Sequence, residues 1–178
     1  LIYEIQLDFP FNTEVLAQLP SPIPATGYGI VLVNDKILIF GGFTYPSTTA
    51  NVTMYDITKN EIQELAPLPY PVYNMATVKN ENNVIVVGGE ESFWKTNKKK
   101  TVVCYNVETE KSSMLPPMKQ ERSECCAVVD GNSSVVMGGL GCCDIILNSV
   151  EAFDLKTSKW RNLNSMKKAR RAFIAEVV

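Results

Sequence analysis

Histidine is absent from the 178 residues of this chain. That removes the side chain most often used as a general base and as a transition-metal ligand. Long apolar runs are missing too, and none approaches the roughly 20 residues that cross a bilayer as a helix. Charge of one sign is also scarce. Seventeen Lys and Arg stand against 19 Asp and Glu, a formal net charge of -2, so no global field favours nucleic acid or an anionic membrane. The opening Leu-Ile-Tyr-Glu-Ile-Gln-Leu has no initiator Met, basic n-region or signal-peptide core, and it reads as cut from something longer. The spacings GxGxxG, GxxxxGK[ST] and GxSxG do not occur. Neither a cofactor nor a metal is expected, and binding is favoured over catalysis.

The five cysteines, Cys104, Cys125, Cys126, Cys142 and Cys143, are odd in number, and four of them form adjacent pairs. That is not a disulfide framework, and it fits a reducing, cytoplasmic location. The sequons at Asn51 and Asn132 matter only in a secreted chain. Cys125 and Cys126 fall on an apolar strand, where small buried side chains are expected. Cys142 and Cys143 fall in a loop before Asp144. Their functional reading is a reactive or metal-binding thiol pair, but they lack CxxC spacing and no partner motif stands elsewhere in the chain, so no metal site is expected.

What the chain does have is a repeat. Gly-Gly closes three apolar runs: ILIFGG at Ile37–Gly42, VIVVGG at Val84–Gly89 and SVVMGG at Ser134–Gly139. The first glycines, Gly41, Gly88 and Gly138, stand 47 and 50 residues apart. Such a period marks units that bury their faces against their neighbours. Before each Gly-Gly an apolar hairpin is expected: Tyr28–Val33 with Ile37–Phe40, Met75–Val78 with Val84–Val87, and Cys125–Val129 with Val135–Met137. The turns fall at Asn34-Asp35, Lys79–Asn83 and Asp130–Asn132. The runs are continuous enough for sheets covered on both faces. After each Gly-Gly come a polar loop and then Tyr55-Asp56, Tyr105-Asn106 or Phe153-Asp154. Seven residues beyond each aromatic stand Ile62, Ser112 and Trp160, followed by Leu65, Leu115 and Leu163, then Leu68, Met118 and Met166. Four short strands per unit result.

This order of hairpin, Gly-Gly, loop, Tyr-Asp, Trp and Leu-x-x-Met resembles the kelch repeat, most closely in the third unit. The resemblance covers nearly the whole chain and implies an all-β propeller of four-stranded antiparallel blades. Residues 1–20 read as the last strands of one blade. Repeats are expected at 21–69, 70–118 and 119–166, and the first strand of a further blade at 167–178. Three repeats do not close a ring, so a piece of a six-blade propeller is expected, with mutual completion by two chains as the rival. Gly42, Gly89 and Gly139, with their preceding glycines, are expected where a neighbouring backbone comes close. Trp160 is expected to be buried between blades.

Kelch propellers that recruit proteins do so with one end of the ring, and the resemblance carries that face onto particular positions. The residues after each glycine pair are Phe43, Glu90 and Leu140, and their loop neighbours are Tyr45, Trp94 and Asp144. Arg122 and Arg170 stand at the start of first strands, where Ala25 and Val72 stand in the other units. Phe93 and Trp94, within the charged EESFWKTNKKK loop, suit a protein-binding edge. The expected function is substrate recognition for a cullin-type ubiquitin ligase, in the manner of kelch-like (BTB-BACK-kelch) adaptors, with cullin contacts outside this region. An actin-binding or scaffold role and a mutarotase-like enzyme are the alternatives. In the last, Arg122, Arg170 and Glu90 would orient a carboxylate-bearing sugar. The copper-oxidase chemistry of some kelch-type propellers needs imidazole ligands and is disfavoured.

Overall fold

Asn34 and Asp35 take φ of 46° and 51° in the computed structural model, which describes residues 2–6, 12–17, 26–92 and 97–177. Two left-handed residues in succession make the hairpin turn whose twist matches its flanking strands. Strand β1 (Ile2–Gln6) pairs antiparallel with β2 (Asn12–Ala17). Around the Asn34-Asp35 turn run β3 (Gly29–Val33) and β4 (Lys36–Phe40). A small hairpin, β5 (Phe43–Thr44) and β6 (Ser47–Thr48), occupies the loop before β7 (Val52–Asp56) and β8 (Glu61–Leu65). The order β3-β4-β7-β8 makes a four-stranded antiparallel sheet.

The pattern repeats with β9 (Ala76–Asn80), β10 (Asn83–Val87), β11 (Val102–Asn106) and β12 (Lys111–Leu115). It repeats again with β13 (Cys126–Asp130), β14 (Ser133–Met137), β15 (Val150–Asp154) and β16 (Lys159–Leu163). The innermost strand β9 lies between β3 and β13, so the sheets stand side by side as propeller blades. The turns are tighter than the sequence pattern implied: Glu81-Asn82 and Gly131-Asn132 alone separate the strands.

Strand β10 shows why its run is continuously apolar. Val84 and Val86 join the cluster shared with the first blade, with Phe40, Leu38, Leu68 and Val72. Ile85 and Val87 join the one shared with the third, with Met118 and Val136. Alternate residues face opposite sides of a sheet, so a blade between two others buries both sets, each fully buried Val or Ile contributing about 1.5–3 kcal/mol. On β3, by contrast, Ile30 and Leu32 are exposed, because that strand buries only its two ends.

The glycine pairs answer to the next blade. A Cβ on Gly41, Gly88 or Gly138 would lie 2.2, 2.3 or 2.5 Å from the carbonyl oxygen of Val72, Arg122 or Arg170. The following glycine donates its N–H to that same carbonyl at 2.8 Å in all three cases. The acid or amide after each aromatic closes the outer turn. Asp56 accepts from the Thr58 and Lys59 backbone, Asn106 from Thr109, and Asp154 from Lys156 and Thr157. The Thr58 hydroxyl and the Lys59 amide hold Asp56 below the usual carboxylate range.

Tyr55, Tyr105 and Phe153 are buried, whereas Trp160 is only half-buried. Its indole N–H donates to the Pro116 carbonyl of the preceding blade at 2.7 Å, and its ring lies 5.0 Å from Phe153. The expected burial between blades is therefore only partial: the ring packs against the cluster shared by the second and third blades but stays partly exposed. One joint earlier the corresponding carbonyl, that of Ala66, takes its bond from the Tyr105 hydroxyl at 2.9 Å. Ser112 stands opposite Tyr105 where Trp160 stands opposite Phe153. The two joints thus make one inter-blade bond with different residues: the hydroxyl serves where Trp is replaced by Ser, and the indole where Tyr is replaced by Phe. Tyr105→Phe should cost about 1 kcal/mol, read as a lowered denaturant midpoint. No loss would show that the Ala66 carbonyl needs no partner.

Candidate functional site

The residue after each glycine pair pairs with the segment leading into a first strand. Phe43 bridges to Thr26, Glu90 to Tyr73 and Leu140 to Ser123. Glu90 and Leu140 also bridge to the returning limbs of their own loops, at Lys98 and Ile146. Phe43, Glu90 and Leu140 are consequently buried. This corrects the expectation that they present side chains to a partner, because three-way backbone pairing walls them in.

These positions nonetheless run as one chain of contacts across three blades. The Phe43 ring lies 5.4 Å from that of Tyr73. The Tyr73 hydroxyl donates to Glu90 at 3.4 Å. Burial, then the Glu90 charge and that hydrogen bond, push the Tyr73 phenol up to about 12. Beyond Glu90 lies Lys98, whose ammonium donates to Asp144 at 2.5 Å. The Lys98 side chain is 2% exposed and that of Asp144 63%, so the pair carries a buried cation out to an exposed anion. Burial alone would push Lys98 down, but the hydrogen bond to Asp144 and the charges of Glu90, Asp144 and Glu121 outweigh it and hold the ammonium above its ordinary value. The loops after the glycine pairs therefore meet at one end of the blades.

Arg122 is a second correction. Its guanidinium is fully buried. It donates to the carbonyls of Gly138 at 2.8 Å and Ser149 at 3.0 Å, to the Ser149 hydroxyl at 2.8 Å and to Glu151 at 3.0 Å. Glu151 also accepts from the backbone of Lys119 and Gln120. Arg122 thus holds its own blade together and has no free face for a peptide or a sugar acid. In the preceding blade the same two positions are Val72 and Val103, both buried and apolar. The signal was present in the repeat, since an Arg and a Glu replace two valines together.

Among the remaining expected residues, Tyr45 is exposed on the β5–β6 hairpin and Asp144 on the third loop. Arg170 is exposed, and its backbone takes the same bonds as that of Arg122. Phe93 and Trp94 lie outside the described residues, as does Ala25. What sequence reasoning missed after Gly141 is the exposure of Ile145 and Ile146. Cys142, Cys143, Asp144, Ile145 and Ile146 are exposed in succession, around a single 3-10 turn at Cys142–Asp144. Ile145 is 61% and Ile146 45% exposed. Two adjacent aliphatic residues in a polar loop were a legible signal, of the same kind as Phe93 and Trp94. Lys98 was hidden within the run Asn97-Lys98-Lys99-Lys100.

Cys125 and Cys126 are buried, and burial pushes the Cys125 thiol up to about 12, beyond useful reactivity. Among the described residues no group of three or more Cys, Asp or Glu side chains is placed to hold a metal ion. No helix among them is long and apolar enough to cross a membrane.

The chain is similar to known kelch-repeat proteins. Residues 7–177 match the family model described as the KLHDC2/KLHL20/DRC7 Kelch-repeats domain. Kelch-like protein 40 of Xenopus tropicalis is 30% identical over 171 residues, covering 94% of this chain and 27% of that protein. Kelch-like protein 23 of Homo sapiens is 27% identical over 145 residues, covering 79% of this chain and 25% of its own length. The chain thus spans about a quarter of the curated relatives it matches. The solved structure of YjhT superposes with a TM-score of 0.80 at 14% identity, covering 93% of this chain and 59% of that one.

Proposed function

The chain belongs to the kelch-repeat family, and we propose that it is the protein-recruiting propeller of a cytoplasmic, cullin-type ubiquitin ligase adaptor. The observation that carries this reading is the exposed segment from Cys142 to Ile146 beside the Lys98–Asp144 pair. Aliphatic side chains held out of the core on a short, tethered loop lose little freedom when a partner covers them. A charge pair beside them orients an incoming chain more than it binds it. The names of the relatives, all kelch-like proteins, favour the adaptor role over a cytoskeletal one. Contact with a cullin is assigned to the part of such a protein that lies outside this chain.

The test is an alanine scan of Tyr45, Trp94, Asp144, Ile145, Ile146 and Arg170 in the intact protein, against partners captured from cells by that protein. At least one of the two isoleucines should cost about 2 kcal/mol or more in affinity, a loss near thirtyfold, with the thermal midpoint unchanged. Substitutions at the outer turns near Thr58 and Thr109 should leave affinity intact. The reverse pattern would place the partner on the opposite end.

A further inference from the structure

We propose that Cys142 and Cys143 form a redox-modifiable vicinal dithiol, which a low-molecular-weight disulfide converts reversibly into an eight-membered disulfide ring. Both side chains are exposed, and their sulfurs already stand 3.3 Å apart, one thiol donating to the other. A disulfide bond measures about 2.05 Å, so closure needs a small approach of two side chains already facing each other. Cys143 holds a left-handed φ of 55° inside the 3-10 turn, and Asp144 follows at 58°. Sequence neighbours in extended chain point apart, and this kink turns the two thiols to the same side.

The loop is anchored on both flanks. Leu140 bridges to Ser123, and the Leu147 amide donates to the Gly139 carbonyl at 2.9 Å. Ring closure is therefore confined to the exposed turn. Across a trans peptide the two Cα atoms lie about 3.8 Å apart, below the usual span of about 4.4–6.8 Å for bridged cysteines. The ring is strained, and ordinary thiols reopen it. The hydrogen bond to Cys143 and the charge of that neighbour hold the Cys142 thiol above its ordinary value, and the nearby Lys98 ammonium only partly offsets them.

The chemistry balances as two exchanges. One thiol loses its proton to solvent and attacks a sulfur of the small disulfide, expelling one small thiolate and leaving a mixed disulfide. The second thiol, likewise deprotonated, attacks the protein sulfur of that adduct and expels the second small thiolate. Two S–H bonds are lost and one S–S bond is gained in the protein, while the small disulfide is reduced to two thiols. Closure alters the backbone at Cys143, so Asp144 is drawn off Lys98 and the neighbouring isoleucines shift. This last consequence rests on the proposed partner face, but the chemical step does not.

The intact protein is incubated with excess oxidised glutathione and cleaved on the N-terminal side of aspartates. The fragment from Asp130 to Cys143 carries these two cysteines and no others. It should appear lighter by two hydrogen atoms, with no glutathione attached, and dithiothreitol should restore it. Cys142→Ser and Cys143→Ser should each retain one glutathione on the remaining cysteine. An unmodified wild-type fragment, or one that stably carries glutathione, overturns the proposal. Neither outcome touches the partner reading, whose test is affinity.

Discussion

Arg122→Ala should destabilise the protein by about 3–5 kcal/mol. The guanidinium and the Glu151 carboxylate are both almost wholly inaccessible, at 0% and 3% side-chain exposure. Removing the cation leaves a buried anion with only the Lys119 and Gln120 amides, and it strips the Gly138 carbonyl of its bond at 2.8 Å. The two-residue variant Arg122→Val with Glu151→Val should recover most of the loss, because Val72 and Val103 fill these positions in the preceding blade. A residual deficit of about 1–2 kcal/mol should persist for the orphaned amides. In the second blade Pro69 stands where Lys119 stands here, and it has no amide to satisfy. Denaturant unfolding of the intact protein decides the matter. A single variant as stable as wild type, or a double variant worse than the single, would show that the pair is not what closes this blade.

Gly88→Ala is expected to cost about 3 kcal/mol or more. Its φ is +67°, and a Cβ would sit 2.3 Å from the backbone oxygen of Arg122. That oxygen belongs to the adjacent blade and is held by the Gly89 amide at 2.8 Å, so it cannot retreat without breaking the joint. Gly131→Ala is the internal control. Gly131 has a similar φ of +57°, but nothing lies within 4 Å of a Cβ there. It should suffer only the left-handed backbone cost, about 1–2 kcal/mol. Thermal or denaturant unfolding of both variants separates strain from clash. Equal losses would mean that close approach of the next blade contributes nothing to the need for glycine at 88.

The contrast between Gly88 and Arg122 shows where sequence reading reaches. Gly88 answers to a backbone that returns at the same place in every unit, so its role is written three times over in the chain. The same holds for the hairpin at Asn34-Asp35, the apolar run of β10 and the turn-closing Asp154. Arg122 stands at a repeated backbone position that Arg170 also fills, but only Arg122 is met there by a buried partner, Glu151. A reader of loops and lead-in segments expects an arginine there to face a mouth, because most charged side chains stay wet.

By itself, then, the sequence determined the all-β architecture, the four-stranded units, the reason for each glycine pair and the end of the blades at which the loops gather. The first three follow from the apolar hairpins, turn residues and glycine pairs that each repeat states locally, and the last from the resemblance to the kelch repeat. Only the tertiary structure decided which side chains at that end face outward. It turned Arg122 inward onto Glu151, walled in Phe43, Glu90 and Leu140, half-covered Trp160, and brought Lys98 beneath Asp144. The physical reason is that burial is a property of pairs. A charge goes inside only when another part of the fold delivers its partner, and that partner lies a strand or a blade away in the chain.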